Sequence, residues 1–179
     1  MTDPRSQSTY QVRLGWGAQA LTGLAKAGIV VVIDVLGASD KLAADAVALP
    51  HEPTVFLGTL RNASATAQAV YDEQVARGGR TAINLVLAGD AGAFAVEDYL
   101  AAGAIGDGLS ARGLDHSAPD VAVATEGFRP LTRALKHLLS ASASGLALAD
   151  EGRRDEVKHA AQLDADPEPT RVVVGDEED

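Results

Sequence analysis

The chain has 179 residues, 46% of them apolar, which suffices for one domain with a substantial core. Its formal charge of −10 argues against nucleic acid or an anionic membrane surface as a partner. Lack of cysteine removes disulfides, thiolate metal sites and cysteine nucleophiles, and no apolar run reaches the length of a membrane span, so a cytoplasmic protein is expected.

In chain order, the polar residues 1–8 read as a flexible leader and 9–174 as a single domain. Tyr10–Leu14 alternates in polarity like an edge strand, and Ala18–Ala27 has helical character. Ile29–Ile33 is five β-branched residues without polar alternation, which predicts a strand buried on both faces, running to Leu36. Ser39 is placed to cap a helix ending near Ala48, and Pro50 and Pro53 mark a loop before a short strand at Thr54–Leu57. Asn62 or Ser64 is predicted to cap a helix to about Ala76, ended by Gly78 and Gly79. Ala82–Ala88 is a second buried strand, and Phe94–Leu109 a helix.

Asp120–Leu139 is helical with a break expected before Pro130, followed by short helices near Gly145–Ala149 and Arg154–Leu163. Arg171–Val174 is a final strand, and 175–179 an acidic tail. The alternation of strands and helices predicts an α/β fold: three layers, with a mostly parallel or mixed central sheet flanked by helices.

Asp34 stands where the first buried strand runs out, and open α/β sheets bind ligands just beyond the carboxyl ends of their strands. Glu97 and Asp98 open a helix soon after the second buried strand, and Asp155 lies near the C-terminus. Carboxylates so placed can share Mg²⁺, which prefers hard oxygen ligands and clamps phosphate. Acids in a first helical turn also simply favour the helix dipole.

Gly15, Gly17 and Ala20 fit G-x-G-x-x-A, with Asp34 nineteen positions after Gly15. That is the outline of a dinucleotide fingerprint, with Asp34 on the ribose. Leu36 excludes a D-x-D phosphotransfer signature, and no P-loop is present. His51, His116, His137 and His159 show no metal-ligand spacing and read as surface or loop residues.

Several segments together resemble the 2-phosphosulfolactate phosphatase family, in a shortened form. Tyr10–Gly17 resembles its Y-x-V-R-x-x-W-G start, Val31–Leu36 its V-V-x-D-V-L strand, and Gly58–Ala63 its G-[ST]-L-R-N-A turn. Ala88-Gly89 with Phe94–Asp98 and Ala102-Gly103 resembles A-G…F-A-x-E-D…A-G-A, and Ala143–Asp155 its C-terminal pattern. The family's central segment is absent near 49–54, and Gly37 stands where the family usually carries Arg or Ser.

The resemblance implies Mg²⁺-dependent hydrolysis of 2-phospho-3-sulfolactate or another small anionic phosphate ester. Asp34, Glu97 and Asn62 would be catalytic, with Asp34, Glu97, Asp98 and Asp155 around the metal. The missing segment motivates an alternative, a non-catalytic homologue binding an anion, metal or protein. It also predicts sheet edges that a rearranged strand or a second copy would cover.

Overall fold

In the computed structural model, which describes residues 3–90 and 93–173, Ile29–Ile33 forms strand β2 with all five residues buried. Val12–Trp16 is β1, Thr54–Gly58 is β3, Ile83–Leu87 is β4 and Thr170–Val172 is β5. The sheet order is β1-β4-β2-β3-β5. The first four strands are parallel, and β5 runs antiparallel to β3. The acidic residues 175–179 lie outside the described residues.

Strand side chains alternate between faces, and the two faces of β2 define two cores. Ile29, Val31 and Ile33 join Leu85, Leu87, Ala67, Ile105 and Phe128, under α3 (Ala63–Ala76), α4 (Val96–Ser110) and α5 (Pro119–Leu131). Val30 and Val32 join Val55, Val86, Leu21 and Ala46, under α1 (Gly17–Gly23) and α2 (Asp40–Val47). The result is the three-layer α/β fold that the pattern predicts. Short helices α6 (Leu135–Ala141), α7 (Ala143–Asp150) and α8 (Arg154–Ala160) continue beside the larger core. Among the described residues, no helix is long and apolar enough to cross a membrane.

Three local differences from the sequence expectations have physical causes. Strand β2 stops at Ile33 because the Asp34 side chain turns the chain: its Oδ1 accepts the Gly37 N–H at 2.7 Å. The helix does not break before Pro130; it carries that proline and passes after Leu131 into a 3₁₀ turn, Thr132–Ala134, before α6. Asn62 takes the N-cap position of α3 as expected, but its side chain makes no capping bond; Asp164 supplies the acceptor instead, taking the Ser64 N–H and hydroxyl, each at 2.7 Å.

Residues 3–8 form a 3₁₀ turn at Pro4–Ser6, and the Gln7 side chain exchanges hydrogen bonds with the Leu14 backbone at 2.9 and 3.0 Å.

The packing of α4 on α5 in the larger core depends on a missing side chain. A Cβ at Gly103 of α4 would lie 2.3 Å from the Ala124 carbonyl oxygen of α5. Gly103→Ala therefore has to push the helices apart, and thermal or urea unfolding should register a loss of about 1–3 kcal/mol. Unchanged stability would show that this packing is looser than described.

Candidate functional site

The four parallel strands deliver their following loops to one edge of the sheet. After β2 the chain turns to the α1/α2 face, whereas after β3 and β4 it turns to the face of α3 and α4. This divergence opens a crevice beyond β2, flanked by β4 and β3. Asp34, the first residue past β2, sits in it.

Gly37 fixes how Asp34 is held. Besides donating its N–H, it leaves room: a Cβ there would lie 2.6 and 2.8 Å from the two Asp34 carboxylate oxygens. The lack of a side chain at Gly37 is thus the feature that lets the carboxylate fold back over the turn. Burial pushes the Asp34 carboxyl up from its ordinary range, the Gly37 amide opposes this, and the charges of Glu97 and Asp40 push it further up.

Glu97 and Asp98, in the first turn of α4, are both 2% exposed. Asp98 is fully engaged. Its Oδ1 accepts from the Val35 N–H and its Oδ2 from the Gly89 N–H, each at 2.9 Å. It thereby staples the loop after β2 to the loop after β4. Burial pushes its carboxyl up to about 7 against the pull of these two amides, with Asp34 and Glu97 adding to the rise.

Glu97 differs: its Oε2 is buried and has no hydrogen-bond partner among the described residues. A buried carboxylate oxygen left unmet is costly, so this atom calls for a partner. The charge coupling brings Asp34, Glu97 and Asp98 into one neighbourhood.

Asn62 and Asp155 are placed differently. Asn62 is buried, accepting the Thr59 N–H and hydroxyl (2.8 and 3.1 Å) and donating to the Leu57 carbonyl (3.1 Å), so it holds the loop after β3 in shape. Asp155 has a side chain 95% exposed and pairs with Lys158 at 2.7 Å. It stands with α8 on the wall of a cleft of about 540 Å³ between the loops after β2 and β3. A second cleft, of about 490 Å³, opens on the β4 side and is lined by Asp34, Gly37 and Gly89. Gly37 borders both.

Among the described residues, no group of three or more His, Asp or Glu side chains is arranged to hold a metal. The four-carboxylate set suggested by the resemblance is therefore not assembled among the described residues: Asp98 spends both oxygens on amides, and Asp155 is exposed and paired with Lys158. What remains is the orphaned Glu97 oxygen with the Asp34 carboxylate. Two hard donors of this kind fit Mg²⁺, which commonly takes one or two carboxylates and completes its octahedron with water and phosphate oxygens.

The dinucleotide outline is not reproduced. It requires the strand before the glycines to lie beside the strand that ends in the acid, but β1 is an edge strand and β4 intervenes.

Sequence reasoning gave no role to Arg61 and Arg153 of the larger cleft and read His159 only as a surface or loop residue. Arg61 follows β3 and grips Asp166 with Nε and Nη2, at 2.9 and 2.7 Å. Arg153 pairs with Glu151 and Glu156, and His159 offers its carbonyl to Arg61 at 3.1 Å. Only Arg61 had a signal, its place in the G-T-L-R-N-A turn; the rest converge through tertiary structure. On the β4 side, Phe94 is 62% exposed and packs its ring 5.2 Å from Trp16 and 5.5 Å from Tyr99, bracing the loop that leads to Glu97.

Residues 42–168 match the model of the family described as 2-phosphosulpholactate phosphatase. The match takes in Asn62, Glu97, Asp98 and Asp155 but begins after Asp34. No curated protein matches the chain. With well over half of its length matched in this way, the chain belongs to the 2-phosphosulfolactate phosphatase family.

Proposed function

We propose that the protein hydrolyses a small phosphate monoester with Mg²⁺, at the crevice beyond β2. The observation that carries this reading is the buried, unpartnered Oε2 of Glu97, charge-coupled to Asp34 at the switch point of the sheet. Family membership supplies the reaction class: water adds to phosphorus, and the ester oxygen leaves with a proton as the alcohol. When bound, Mg²⁺ would neutralise charge on the phosphate oxygens.

Glu97 and Asp34 would hold the ion. Asp98 acts as a positioning residue, because its two amide bonds fix the backbone next to Asp34 and Gly89. Asn62 keeps the loop after β3 in register with the same edge.

The test is phosphate release by purified protein from 2-phospho-3-sulfolactate and simpler monoesters, with Mg²⁺ and with EDTA. Release that needs Mg²⁺ supports the reading; none from any ester defeats it. A second reading, a non-catalytic homologue, is favoured by the absence of a three-ligand cluster among the described residues. It predicts ligand or metal binding without turnover.

Gly37→Ala is a sharper probe, since the added methyl must displace the Asp34 carboxylate. Misplacement of this size should lower turnover roughly 10–100-fold. Circular dichroism should show the fold retained. Full activity in this variant would remove Asp34 from the chemistry.

A further inference from the structure

We propose that the end of the sheet opposite Asp34 carries a second site, a small pocket on Arg13 and Arg80 that binds a phosphate-type dianion. The site shares no residue with the crevice beyond β2 and stands whether or not the phosphatase reading does.

The pocket, of about 260 Å³, lies where the chain enters β1 and β4. Ser8, Thr9 and Tyr10 line it from the segment before β1, Arg80 from the loop before β4, and Arg13 from β1 itself. No carboxylate is among its lining residues. The sheet register sets Arg13 level with Asn84 of β4 and Val30 of β2. Asp34 comes four residues after Val30, about 13 Å further along the strand direction.

Arg13 is 5% exposed, yet every acceptor it meets is a neutral carbonyl. Nε donates to Tyr10 at 2.8 Å, and Nη1 donates to Ala25 and Lys26 at 2.8 and 3.2 Å. Nη2 reaches only the Ser8 carbonyl, at 3.3 Å, so one of its two N–H groups is uncommitted among the described residues. Burial pushes the Arg13 pKa down, and no acid beside it pulls in the other direction. A buried charge met only by dipoles is costly, so this guanidinium calls for a counter-ion.

Arg80 supplies a second charge. It is exposed and makes no side-chain hydrogen bond or ion pair among the described residues. The hydroxyls of Ser8, Thr9 and Tyr10 are also without hydrogen-bond partners among the described residues, and stand as further donors. The whole chain carries −10, so a pocket with two arginines and no acid is a local exception. Two guanidinium charges match a dianion, and phosphate oxygens accept from N–H and O–H donors together. The pocket has room for such a group, free or at the end of a small ester.

The experiment titrates inorganic phosphate into isotope-labelled, metal-free protein in EDTA, with chloride at matched ionic strength as the control. Nuclear magnetic resonance should show saturable shifts at the amides of residues 8–13 and 80–82 and at the Arg13 Nε–H. Those of residues 34–37 and 89 should stay in place. Acetate, a monoanion, should bind about tenfold more weakly than phosphate. Glycerol 2-phosphate separates the two sources: tighter binding than phosphate marks an ester end group, and equal or weaker binding marks free phosphate.

Arg80→Ala should weaken phosphate binding by about tenfold or more, and Arg80→Lys should recover part of that loss. Both changes fall on an exposed side chain, and circular dichroism should show the fold retained. Equal shifts with chloride, shifts confined to the residues around Asp34, no saturable shift at all, or binding indifferent to Arg80→Ala would each overturn the proposal while leaving the phosphatase reading untouched.

Discussion

Glu97→Gln is expected to reduce Mg²⁺-dependent phosphate release by about 100-fold or more, yet to leave the metal-free protein as stable as before or slightly more so. The substitution keeps the shape of the side chain and removes its charge. In the folded protein that charge is 2% exposed, and one of its oxygens meets no donor among the described residues. Its presence is a cost to folding, so losing it should not harm the fold. It is also the buried, unpartnered hard donor that the account sets beside Asp34, so losing it should harm cation binding. Opposite movement of activity and melting temperature separates a functional acid from a packing residue. Parallel losses of both would place Glu97 in the core and not in the chemistry.

Asp98→Ala should have the largest effect on stability. Two backbone N–H groups, of Val35 and Gly89, lose their acceptor at once. A buried donor left unmet costs about 1–3 kcal/mol, so roughly 2–5 kcal/mol should appear in chemical denaturation.

Asp98→Asn gives the complementary result through pH. The Asp98 carboxyl is raised to about 7 from its ordinary 3.8. A raised acid contributes its stability in full below the unfolded value and loses it as pH climbs through the folded one. In the metal-free protein, stability should fall between pH 4 and 7 relative to the Asn variant, with a slope of up to about 1.4 kcal/mol per pH unit. A pH-independent difference would show that Asp98 is charged throughout, stabilised by its two amides alone.

These residues differ in how openly the sequence announces them. Strands β2 and β4 are legible because a sheet covered on both faces demands near-continuous apolar runs: Ile29–Ile33 is unbroken, and Ile83–Leu87 is interrupted only by Asn84. Asp34 was legible because it interrupts such a run at the edge where parallel strands present their loops. The acids opening α4 were visible as a pair but not as two different things. Local rules assign both to the helix dipole, whereas Asp98 in fact serves amides of two other segments and Glu97 serves none.

Contacts spanning a hundred residues left no trace in the sequence. Asp164 capping α3 and Asp166 binding Arg61 depend on how the segment after α8 folds back over the loop after β3. That same segment continues into β5, which pairs antiparallel with β3 and so covers that edge of the parallel strands. Asp155 shows the converse. Its motif position suggested a metal ligand, but α8 turns it outward into a pair with Lys158.

The central claim, that Glu97 and Asp34 together hold one divalent cation, is tested most directly by Mn²⁺ binding followed by electron paramagnetic resonance. Mn²⁺ accepts the same hard oxygen donors as Mg²⁺. The account predicts one bound Mn²⁺ per chain, displaced by excess Mg²⁺ and lost in both Glu97→Gln and Asp34→Asn. Equal binding by the two variants and the unaltered protein would contradict it.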